Sequence, residues 1–381
     1  MMFAGPGAAA ILGDFGADVI KVEHPRGDPA RDVGHHKDGI GLWWKEVGRN
    51  KRAITLNLSL PKGQKLMRGI VQSADVLIEA FRPGTLERWN LGPNVLQELN
   101  PKLVIARVTG FGQFGPYNKR PGFGTLAEAM SGFATLTGEE DGPPTLAPFA
   151  LADGIAGLAT SIAILIALHA RAKTGKGQII DTAIIEPIFS MLGPQAMCFD
   201  QLGLIQRRAG NRSINTAPRN AYQTADGYWV AITAPAPGVA KRVMAAVGHA
   251  EVNQKGWLDS RAERAKHSDE LDQIVASWIK DRSFSEVIAA FDKAEAPLAP
   301  VYDIKQIMDD PQFKALGSIT TVQDPDLGPL KMTNVMFRLS DTPGRVQWAG
   351  RRKGQDNEEV YKELLDLDTE HLKELAAEGV I

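Results

Sequence analysis

A long apolar segment near the middle of the chain constrains the fold more than any other feature. Residues 154–168 include no charged side chain and consist mainly of Leu, Ile and Ala. The run is shorter than the roughly 20 apolar residues that span a bilayer, so we expect a buried helix and no membrane partner. A chain of 381 residues built on such a helix can form two domains, or one large domain with an insertion.

A single carboxylate, Asp153, directly precedes this segment. It could be the N-cap of the helix, accepting the first free backbone N–H groups and facing the positive end of the helix dipole. The same position also suits a carboxylate nucleophile, ionised at neutral pH, held by backbone donors and flanked by glycines that let a substrate approach. Both interpretations fit the residue taken alone.

Composition excludes several classes of function. The chain has 43 Lys and Arg residues against 45 Asp and Glu, a net charge of −2. It therefore lacks the basic excess of a general nucleic-acid-binding protein. The one cysteine, Cys198, excludes an internal disulfide and a cysteine-based metal cluster, and it suits a reducing cytoplasm. With seven scattered histidines, we expect no metal site.

The beginning of the chain is unusual. A helix-like run starts by Gly5, with no basic region typical of a signal peptide before it. The turn at Ala4-Gly5-Pro6 would normally follow a strand. We therefore expect that an opening strand is missing here.

The first half of the chain alternates strand and helix patterns. Such alternation is typical of a parallel sheet with helices packed on its faces. The predicted elements are strands at 17–23, 52–58, 75–81 and 103–109, and helices at 61–73 and 83–90.

The second half is different. A hairpin is predicted at 222–232 around the turn Ala225-Asp226-Gly227, followed by charged helices over 243–291. Two prolines indicate a connector at 296–301, a turn is expected at 327–329, and the tail at 357–378 is an amphipathic helical region. We expect a large α/β domain at 1–204, a small α+β domain at 205–310, and a segment at 311–381 that returns to the large domain.

A glycine-rich motif suggests dinucleotide binding but lacks the right context. The segment Gly110-Phe111-Gly112-Gln113-Phe114-Gly115 has the G-x-G-x-x-G spacing and follows a predicted strand. A dinucleotide site requires that the motif open a helix, and prolines follow it here instead. These glycines are better explained as an active-site loop where backbone and ligand come close.

Taken together, the motifs resemble the family III CoA-transferases, the group of formyl-CoA:oxalate and carnitine CoA-transferases. The resemblance extends over nearly the whole chain. Its carriers are Ala4-Gly5-Pro6, residues 13–23, Gly27-Asp28-Pro29-Ala30-Arg31, Asn50-Lys51-Arg52, Glu79-Ala80-Phe81-Arg82-Pro83-Gly84, the loop 110–117, Ser131-Gly132, Asp153 with Gly157, and Lys173-Thr174-Gly175-Lys176-Gly177-Gln178.

The resemblance implies an open Rossmann-like large domain with a parallel sheet, a smaller α+β domain, and an interlocked homodimer. Asp153 matches the family's catalytic aspartate. It would form a mixed anhydride with the acyl group of a donor acyl-CoA and then a thioester with CoA. Acyl-CoA and a carboxylic acid are then the substrates, and no cofactor is bound permanently.

The resemblance also implies a set of binding residues. Arg88 suits a phosphate, and Phe81 or Trp89 could stack on the adenine, although Arg88 could also be a solvated helix residue and Phe81 a core residue. The glycines at 154 and 157 could supply backbone donors. The residues aligned with CoA contacts are His24, Leu56, Phe81, Thr85, Arg88 and Trp89, and those expected in the substrate pocket are Gly110, Gly112, Phe123, Gly124 and Glu128.

Three functions stay open. An acyl-CoA racemase of the same fold needs a His-Asp pair at the two positions that Phe123 and Gly124 occupy here. Because this chain lacks that pair, CoA transfer is favoured over racemisation. A non-catalytic acyl-CoA-binding protein is the third possibility. The missing side chain at Gly124 should enlarge the acyl pocket, and Glu128 either supplies the lost charge or lies on the surface. We expect succinyl-CoA or a similar donor and a dicarboxylic acceptor, its second carboxylate bound by one of Arg31, Arg52, Arg120, Arg212 and Arg219.

Overall fold

The computed structural model describes residues 3–381, which fold into two compact units. The larger unit comprises the residues up to Phe133, Leu146–Pro194 and Pro311–Ile381, and the smaller unit comprises Ala134–Thr145 and Gln195–Asp310. The smaller unit therefore begins ten residues before the predicted position 205 and includes a short excursion that no sequence pattern indicated. The expectation about a strand before Ala4 falls on residues outside the described range.

The elements follow one another in chain order. The helices are α1 (Ala4–Asp14), α2 (Leu42–Val47), α3 (Pro61–Ser73), α4 (Thr85–Arg88), α5 (Pro93–Leu99), α6 (Gly124–Met130), α7 (Phe133–Leu136), α8 (Leu151–Thr174), α9 (Ile185–Met191), α10 (Gln195–Leu202), α11 (Pro237–Ala246), α12 (Arg261–Lys266), α13 (Ser268–Lys280), α14 (Phe284–Lys293), α15 (Ile304–Asp309), α16 (Pro311–Leu316), α17 (Asn357–Leu365) and α18 (Thr369–Ala377). The strands are β1 (Val19–Glu23), β2 (His36–Lys37), β3 (Ile40–Gly41), β4 (Lys51–Thr55), β5 (Val76–Glu79), β6 (Val104–Thr109), β7 (Ile179–Ala183), β8 (Arg219–Gln223), β9 (Trp229–Thr233), β10 (Leu298–Pro300), β11 (Ile319–Asp324) and β12 (Gly328–Thr333).

Parallel strands form the centre of the larger unit. β1 pairs in parallel with β4, and β5, β6 and β7 form a second parallel sheet in that order. Every residue of β4 and β6 is buried, as expected for strands covered on both faces. The predicted strands and the helix at 61–73 are confirmed, although most strand ends lie one to three residues inside the predicted bounds and β4 begins one residue early. The helix predicted at 83–90 is the shorter α4.

The side chains of these strands alternate between two cores. Ile54 and Ile105 belong to a cluster that also includes residues of α3 and α17, whereas Val108 packs with Ala152 and Ala156 of α8. A strand alternates its faces with period two, so odd-numbered residues of β6 face the first cluster and even-numbered ones the second. The carboxyl ends of the strands, where such folds bind ligands, are thereby held between two helical layers.

Helix α8 is longer than the uncharged run in the sequence. It has 24 residues and is apolar enough to cross a membrane by length and composition, with a mean hydropathy of 2.0 in its most apolar window. That window is 44% buried inside the protein, and core helices of soluble proteins meet the same criteria. Gly175, with φ of 72°, ends the helix in the left-handed conformation that glycine adopts without strain.

The smaller unit is built around an antiparallel sheet in the order β10-β9-β8, covered by α11, α13 and α14. The predicted hairpin is confirmed as β8 and β9. The predicted connector at 296–301 is wrong in part, because Leu298–Pro300 form β10 and pair with β9. β10 is an edge strand, and an edge strand accommodates a proline because one of its sides has no partner.

The C-terminal segment belongs to the larger unit. β11 and β12 form a hairpin whose turn at 325–327 overlaps the predicted turn at Leu327 only, and α17 and α18 confirm the amphipathic tail. The Nζ atom of Lys45 in α2 lies 2.7 Å from Asp324 and 3.0 Å from Asp326. These buried ion pairs fix the hairpin on α2.

Candidate active site

Small residues bring α1 against the N-terminal half of α8. A Cβ atom at Gly157 would lie 3.1 Å from the carbonyl oxygen of Ala4, so a larger residue would push the two helices apart. One turn further, the Ser161 hydroxyl donates to the carbonyl of Gly157 at 2.9 Å and lies 3.3 Å from that of Ala8. Because of this close packing, the first turn of α1 lies beside the first turn of α8.

Asp153 lies where three helices begin. It is the third residue of α8, whose N-cap position is Ala150, so the interpretation of Asp153 as the N-cap is wrong. Its carboxylate instead interacts with the backbone N–H groups of Ala4 and Gly124, the first residues of α1 and α6. Helix N-termini carry unpaired N–H groups and partial positive charge, so this position favours a carboxylate and any oxyanion formed from it.

The surroundings of Asp153 adjust its basicity. Burial raises the pKa of Asp153 above its ordinary value, the N–H groups of Ala4 and Gly124 act in the opposite direction, and the negative charge of Glu128 raises it further. The residue is 6% exposed. A carboxylate with a raised pKa is a stronger nucleophile than an ordinary aspartate, while the two N–H groups still favour the ionised form.

Glycine at position 124 is required by Asp153. A Cβ atom there would lie 2.1 Å from Oδ2 of Asp153, too close for any side chain. The absent side chain therefore makes room for the Asp153 carboxylate, and an enlarged acyl pocket stays a prediction. Gly154 has a different role from the one suggested by sequence, because its N–H donates to Ala150 within the helix and a Cβ atom on it would meet nothing within 4 Å among the described residues.

Glu128 is buried, so its interpretation as a surface residue is wrong. It is 1% exposed, and its Oε2 atom accepts a hydrogen bond of 3.1 Å from the N–H of Ala147. α6 thus contributes the Gly124 N–H at its start and the Glu128 carboxylate one turn later. The segment that enters α8 is tied to α6 through this bond.

The glycine loop after β6 does not open a helix, which confirms the argument against a dinucleotide motif. Gly110 contacts Gly122 so closely that a Cβ atom on Gly110 would lie 2.6 Å from the Cα atom of Gly122. Gly112 adopts a φ of 84°, and the N–H of Gln113 donates to Asp181 of β7 at 2.9 Å. The loop therefore returns on itself and leads to Phe123, which is 54% exposed.

Four predicted CoA contacts lie together between the end of β5 and α4. Phe81, 40% exposed, contacts Trp89 edge to face at 5.1 Å. The Arg88 guanidinium donates to the Thr85 hydroxyl at 3.0 Å. The interpretation of Phe81 as a core residue is therefore wrong. We call residues 81–89 the aromatic segment.

The aromatic segment is joined to the site of Asp153 through α1. A Cβ atom on Gly5 would lie 3.8 Å from Cβ of Ala80, the residue before the segment, and 3.5 Å from Ile78 of β5. Gly5 follows Ala4, whose N–H faces Asp153. The N-terminus of α1 therefore contacts both Asp153, through Ala4, and Ala80, the residue that precedes the aromatic segment.

An ion-pair network that the sequence did not indicate holds the aromatic segment. Glu79 accepts from Arg107 Nε at 2.6 Å and from the Phe81 N–H at 2.8 Å. Arg107 also donates to Glu87 of α4 at 2.8 Å. Its sequence signal is the period-two placement of Arg107 on a buried strand, where a charged side chain needs a partner.

The two other predicted CoA contacts differ in how exposed they are. His24 is partly exposed at the carboxyl end of β1, and its Nδ1 atom accepts from the N–H of Arg26 at 3.0 Å. Leu56 is 2% exposed and belongs to the core cluster, and its N–H donates to the carbonyl of Glu23, so its side chain is not available to a ligand.

Most of the candidate arginines are already paired. Arg31 pairs with Glu23, Arg52 with Asp18, Glu359 and Glu363, and Arg212 with Asp269 and Asp272, while Arg219 donates to the carbonyl of Arg212. Arg120 differs, because its guanidinium lies 3.9 Å from the ring centre of Tyr117 and no carboxylate in residues 3–381 pairs with it. It follows the glycine loop four positions before Gly124.

The chain is similar to proteins of one family over most of its length. The family model of CoA-transferase family III matches residues 1–357. The chain belongs to the family III CoA-transferases. The resemblance seen in the sequence is thereby confirmed, and so is its enzymatic class.

Named relatives of this CoA-transferase cover its full length. Succinyl-CoA–D-citramalate CoA-transferase from Chloroflexus aurantiacus is 41% identical over 99% of this chain and 94% of that protein. Succinate–glutarate CoA-transferase from Agrobacterium fabrum is 32% identical over 95% of this chain and 92% of that protein. Among solved structures, a CAIB/BAIF family protein from Brucella suis has a TM-score of 0.83 and 32% identity, covering 95% of this chain and 96% of that one.

Proposed function

We propose that this CoA-transferase moves CoA from succinyl-CoA, or a similar short acyl-CoA, to a small dicarboxylic acid. The observation that carries the proposal is the Asp153 carboxylate, faced by the N–H groups of Ala4 and Gly124. The next residue of α1, Gly5, lies against Ala80, which precedes the aromatic segment. The substrate class is supported by the relatives, whose names pair succinyl-CoA with citramalate or malate and succinate with glutarate.

The proposed reaction needs no net proton transfer. An Asp153 oxygen attacks the carbonyl carbon of the donor thioester, the C–S bond breaks, and CoA thiolate leaves a mixed anhydride. The thiolate attacks the side-chain carbonyl carbon of Asp153 and releases the donor acid. The acceptor carboxylate then attacks the Asp153–CoA thioester, thiolate leaves again, and its attack on the acceptor carbonyl restores the Asp153 carboxylate.

Each of these steps passes through a tetrahedral oxyanion. The N–H groups of Ala4 and Gly124 are the fixed donors at Asp153, and removing one such donor from an oxyanion site typically costs roughly 100- to 1000-fold in kcat. Burial of Asp153 at 6% exposure supports the exclusion of water, which would hydrolyse an anhydride.

CoA would lie along the carboxyl ends of the strands. We assign its adenine to the exposed Phe81 ring beside Trp89 and its phosphates to Arg88 and the groups around His24. Phe123, Gly110 and Gly112 would line the acyl pocket next to Asp153. Glu128 is 1% exposed, so it would influence Asp153 through its charge and would not contact the substrate.

We further propose that the active form is a cytoplasmic homodimer. The outer face of α8 supports this, since Ile162, Leu165 and Ile166 are each more than half exposed in a highly apolar helix. A soluble protein rarely leaves such a face uncovered. Light scattering that finds a monomer at micromolar concentration would overturn the dimer.

The reaction is tested with succinyl-CoA and a panel of free acids, reading the CoA esters by mass spectrometry. Formation of the CoA ester of citramalate, malate, mesaconate or glutarate, and not of long-chain acids, would support the proposal. Asp153→Ala should abolish transfer while the circular dichroism spectrum is retained. Deuterium exchange at the acyl α-carbon without transfer would instead indicate the racemase.

A further inference from the structure

The two N–H groups that face Asp153 each follow a phenylalanine. Phe3 is the N-cap residue of α1 and Phe123 is that of α6, so they directly precede Ala4 and Gly124. The Cα atom of each phenylalanine is two covalent bonds, about 2.4 Å, from the nitrogen of the N–H group beside the carboxylate. Both rings are therefore held at the rim of the site.

Phenylalanine is an unusual residue at an N-cap. Ser, Thr, Asp and Asn are strongly preferred there, because their side-chain oxygen accepts a hydrogen bond from one of the free N–H groups. Neither α1 nor α6 has a side-chain cap hydrogen bond. Both helices thus lack the stabilisation that a cap provides, leave their first N–H groups to Asp153, and place an aromatic ring beside them.

A third phenylalanine lies in the segment before α8. Phe149 precedes Ala150, the N-cap residue of α8, which also has no side-chain cap hydrogen bond. The segment is fixed on α6 two residues earlier, where the Ala147 N–H donates to Glu128 at 3.1 Å. Phe149 is 60% exposed and Phe123 is 54% exposed, so both rings present a face to an incoming substrate.

The protein interior around the start of α8 is apolar as well. A buried apolar cluster adjoins it, and its members include Ala4, Ala127, Ala152 and Ala156. Phe3 packs against Trp43, with the ring centres 4.9 Å apart. The Nε1–H group of Trp43 is buried and has no acceptor among residues 3–381, so the surroundings of Phe3 are poor in polar groups.

We propose that Phe3, Phe123 and Phe149 form an aromatic collar that keeps water from the covalent intermediates at Asp153. The collar rests on the proposed function, since only an anhydride or a thioester at Asp153 needs such protection. The three rings offer water no strong hydrogen bond, whereas the exposed faces of Phe123 and Phe149 can still contact an acyl chain. The collar thereby sets the ratio of CoA transfer to hydrolysis.

Hydrolysis of the mixed anhydride is the side reaction that the collar suppresses. A water oxygen would bond to one carbonyl carbon of the anhydride, the anhydride C–O bond would break, and each carboxyl group would take one of the two water protons. CoA thiolate would then leave without an acyl group. The net result is the conversion of succinyl-CoA to succinate and free CoA.

The experiment incubates the protein with succinyl-CoA and citramalate and measures free CoA and the CoA ester of citramalate by mass spectrometry. The variants are Phe3→Ala, Phe123→Ala and Phe149→Ala, each with the matching Leu variant. The control is Phe337→Ala, because Phe337 is 45% exposed and stacks at 4.3 Å on Phe15, at the opposite end of α1. ¹⁸O-labelled water identifies the route, since hydrolysis puts the label in succinate or in Asp153 and transfer does not.

Each Ala variant should raise the ratio of free CoA to CoA ester at least about tenfold, which corresponds to about 1.4 kcal/mol in relative barrier height. The Leu variants should stay near the ratio of the unmodified protein, because they remain apolar and fill most of the volume. The ratio does not depend on how much protein is folded, so slower transfer at an unchanged ratio in any of the three Ala variants would overturn the collar. An equal rise in the control would overturn it too. Absence of transfer from succinyl-CoA to every acid of the panel by the unmodified protein would instead overturn the proposed function, and the collar with it.

Discussion

A Cβ atom at position 124 would lie 2.1 Å from Oδ2 of Asp153. The first residue of α6 and the proposed nucleophile of α8 are therefore matched, and the carboxylate occupies the volume of the side chain that glycine lacks. In this chain an aspartate at 124 would force Asp153 into another rotamer.

Gly124→Ala should reduce transfer at least 100-fold, because the carboxylate would be displaced from the N–H groups of Ala4 and Gly124 that stabilise the oxyanion. Initial rates with saturating succinyl-CoA measure this. The control is Gly154→Ala on α8, where a Cβ atom meets nothing within 4 Å among the described residues. That variant should keep its rate and gain about 0.5–1 kcal/mol of stability, as Ala does over Gly within a helix. Equal rates for the two variants would contradict the matching of positions 124 and 153.

Asp153→Asn should abolish transfer and change how stability depends on pH. Burial raises the pKa of Asp153, so the folded protein binds a proton that the unfolded chain has released once the pH exceeds about 3.9. Stability of the unmodified protein relative to the Asn variant therefore falls as pH rises through the pKa of Asp153, by about 1.4 kcal/mol per unit of the shift. Denaturant unfolding of both proteins at pH 4 and pH 7 checks the sign. If the unmodified protein gained stability relative to the Asn variant between pH 4 and pH 7, the raised pKa of Asp153 would be refuted.

Glu128→Gln should move the acidic limb of the rate profile to lower pH. The charge of Glu128 raises the pKa of Asp153, so a neutral side chain leaves the nucleophile ionised further into the acid range. The amide can still accept the N–H of Ala147. The measurement is kcat/KM for succinyl-CoA against pH, with Glu98→Gln, at an exposed position of α5, as control. An unshifted limb would mean that another group controls the profile.

Much of the larger unit could be predicted, because its strands and α3 carry strong local patterns. Pro61 at the first position of α3 and the turn before β12 are local signals of this kind. The site was predictable only through motifs. That Ala4 and Gly124 both face Asp153 depends on how three helices pack, and the pairing of Arg107 with Glu79 joins residues 28 positions apart. The alternation of β6 indicates that Arg107 needs a partner, but it does not identify that partner as Glu79.

The network of Glu79, Arg107 and Glu87 should control CoA affinity by positioning the aromatic segment. Glu87→Gln removes the charge at the α4 end and should raise KM for succinyl-CoA several-fold with kcat and the KM of the acceptor acid unchanged, because Arg107 contacts neither substrate in the proposed site. Arg171→Met is the control, since Arg171 pairs with Asp75 at the opposite end of β5. Equal effects on both substrates would indicate a general loss of structure.

Replacing Arg107 itself tests the same network more severely. Arg107→Met leaves Glu79 buried without a counter-ion, which typically costs about 3–5 kcal/mol. The double variant Glu79→Gln with Arg107→Met removes both charges and should recover most of that stability. It should not recover the KM for succinyl-CoA, because Glu87 still lacks its partner. Recovery of both quantities would show that the network has no role in holding the segment.

Arg120 is the best candidate for the second carboxylate of the acceptor. Its guanidinium lies over the Tyr117 ring without a carboxylate partner in the described chain, whereas Arg212 is neutralised by Asp269 and Asp272. Arg120 lies four positions before Gly124, a span of at most about 14 Å, which an arginine and a four-carbon diacid can bridge together. Arg120→Met should raise KM for the dicarboxylate about tenfold to a hundredfold, the scale of one charge-assisted hydrogen bond of roughly 1.5–3 kcal/mol. Monocarboxylic acceptors of the same length should be unaffected by Arg120→Met, and Arg212→Met should change neither. A larger effect at Arg212 than at Arg120 would move the carboxylate site to the smaller unit.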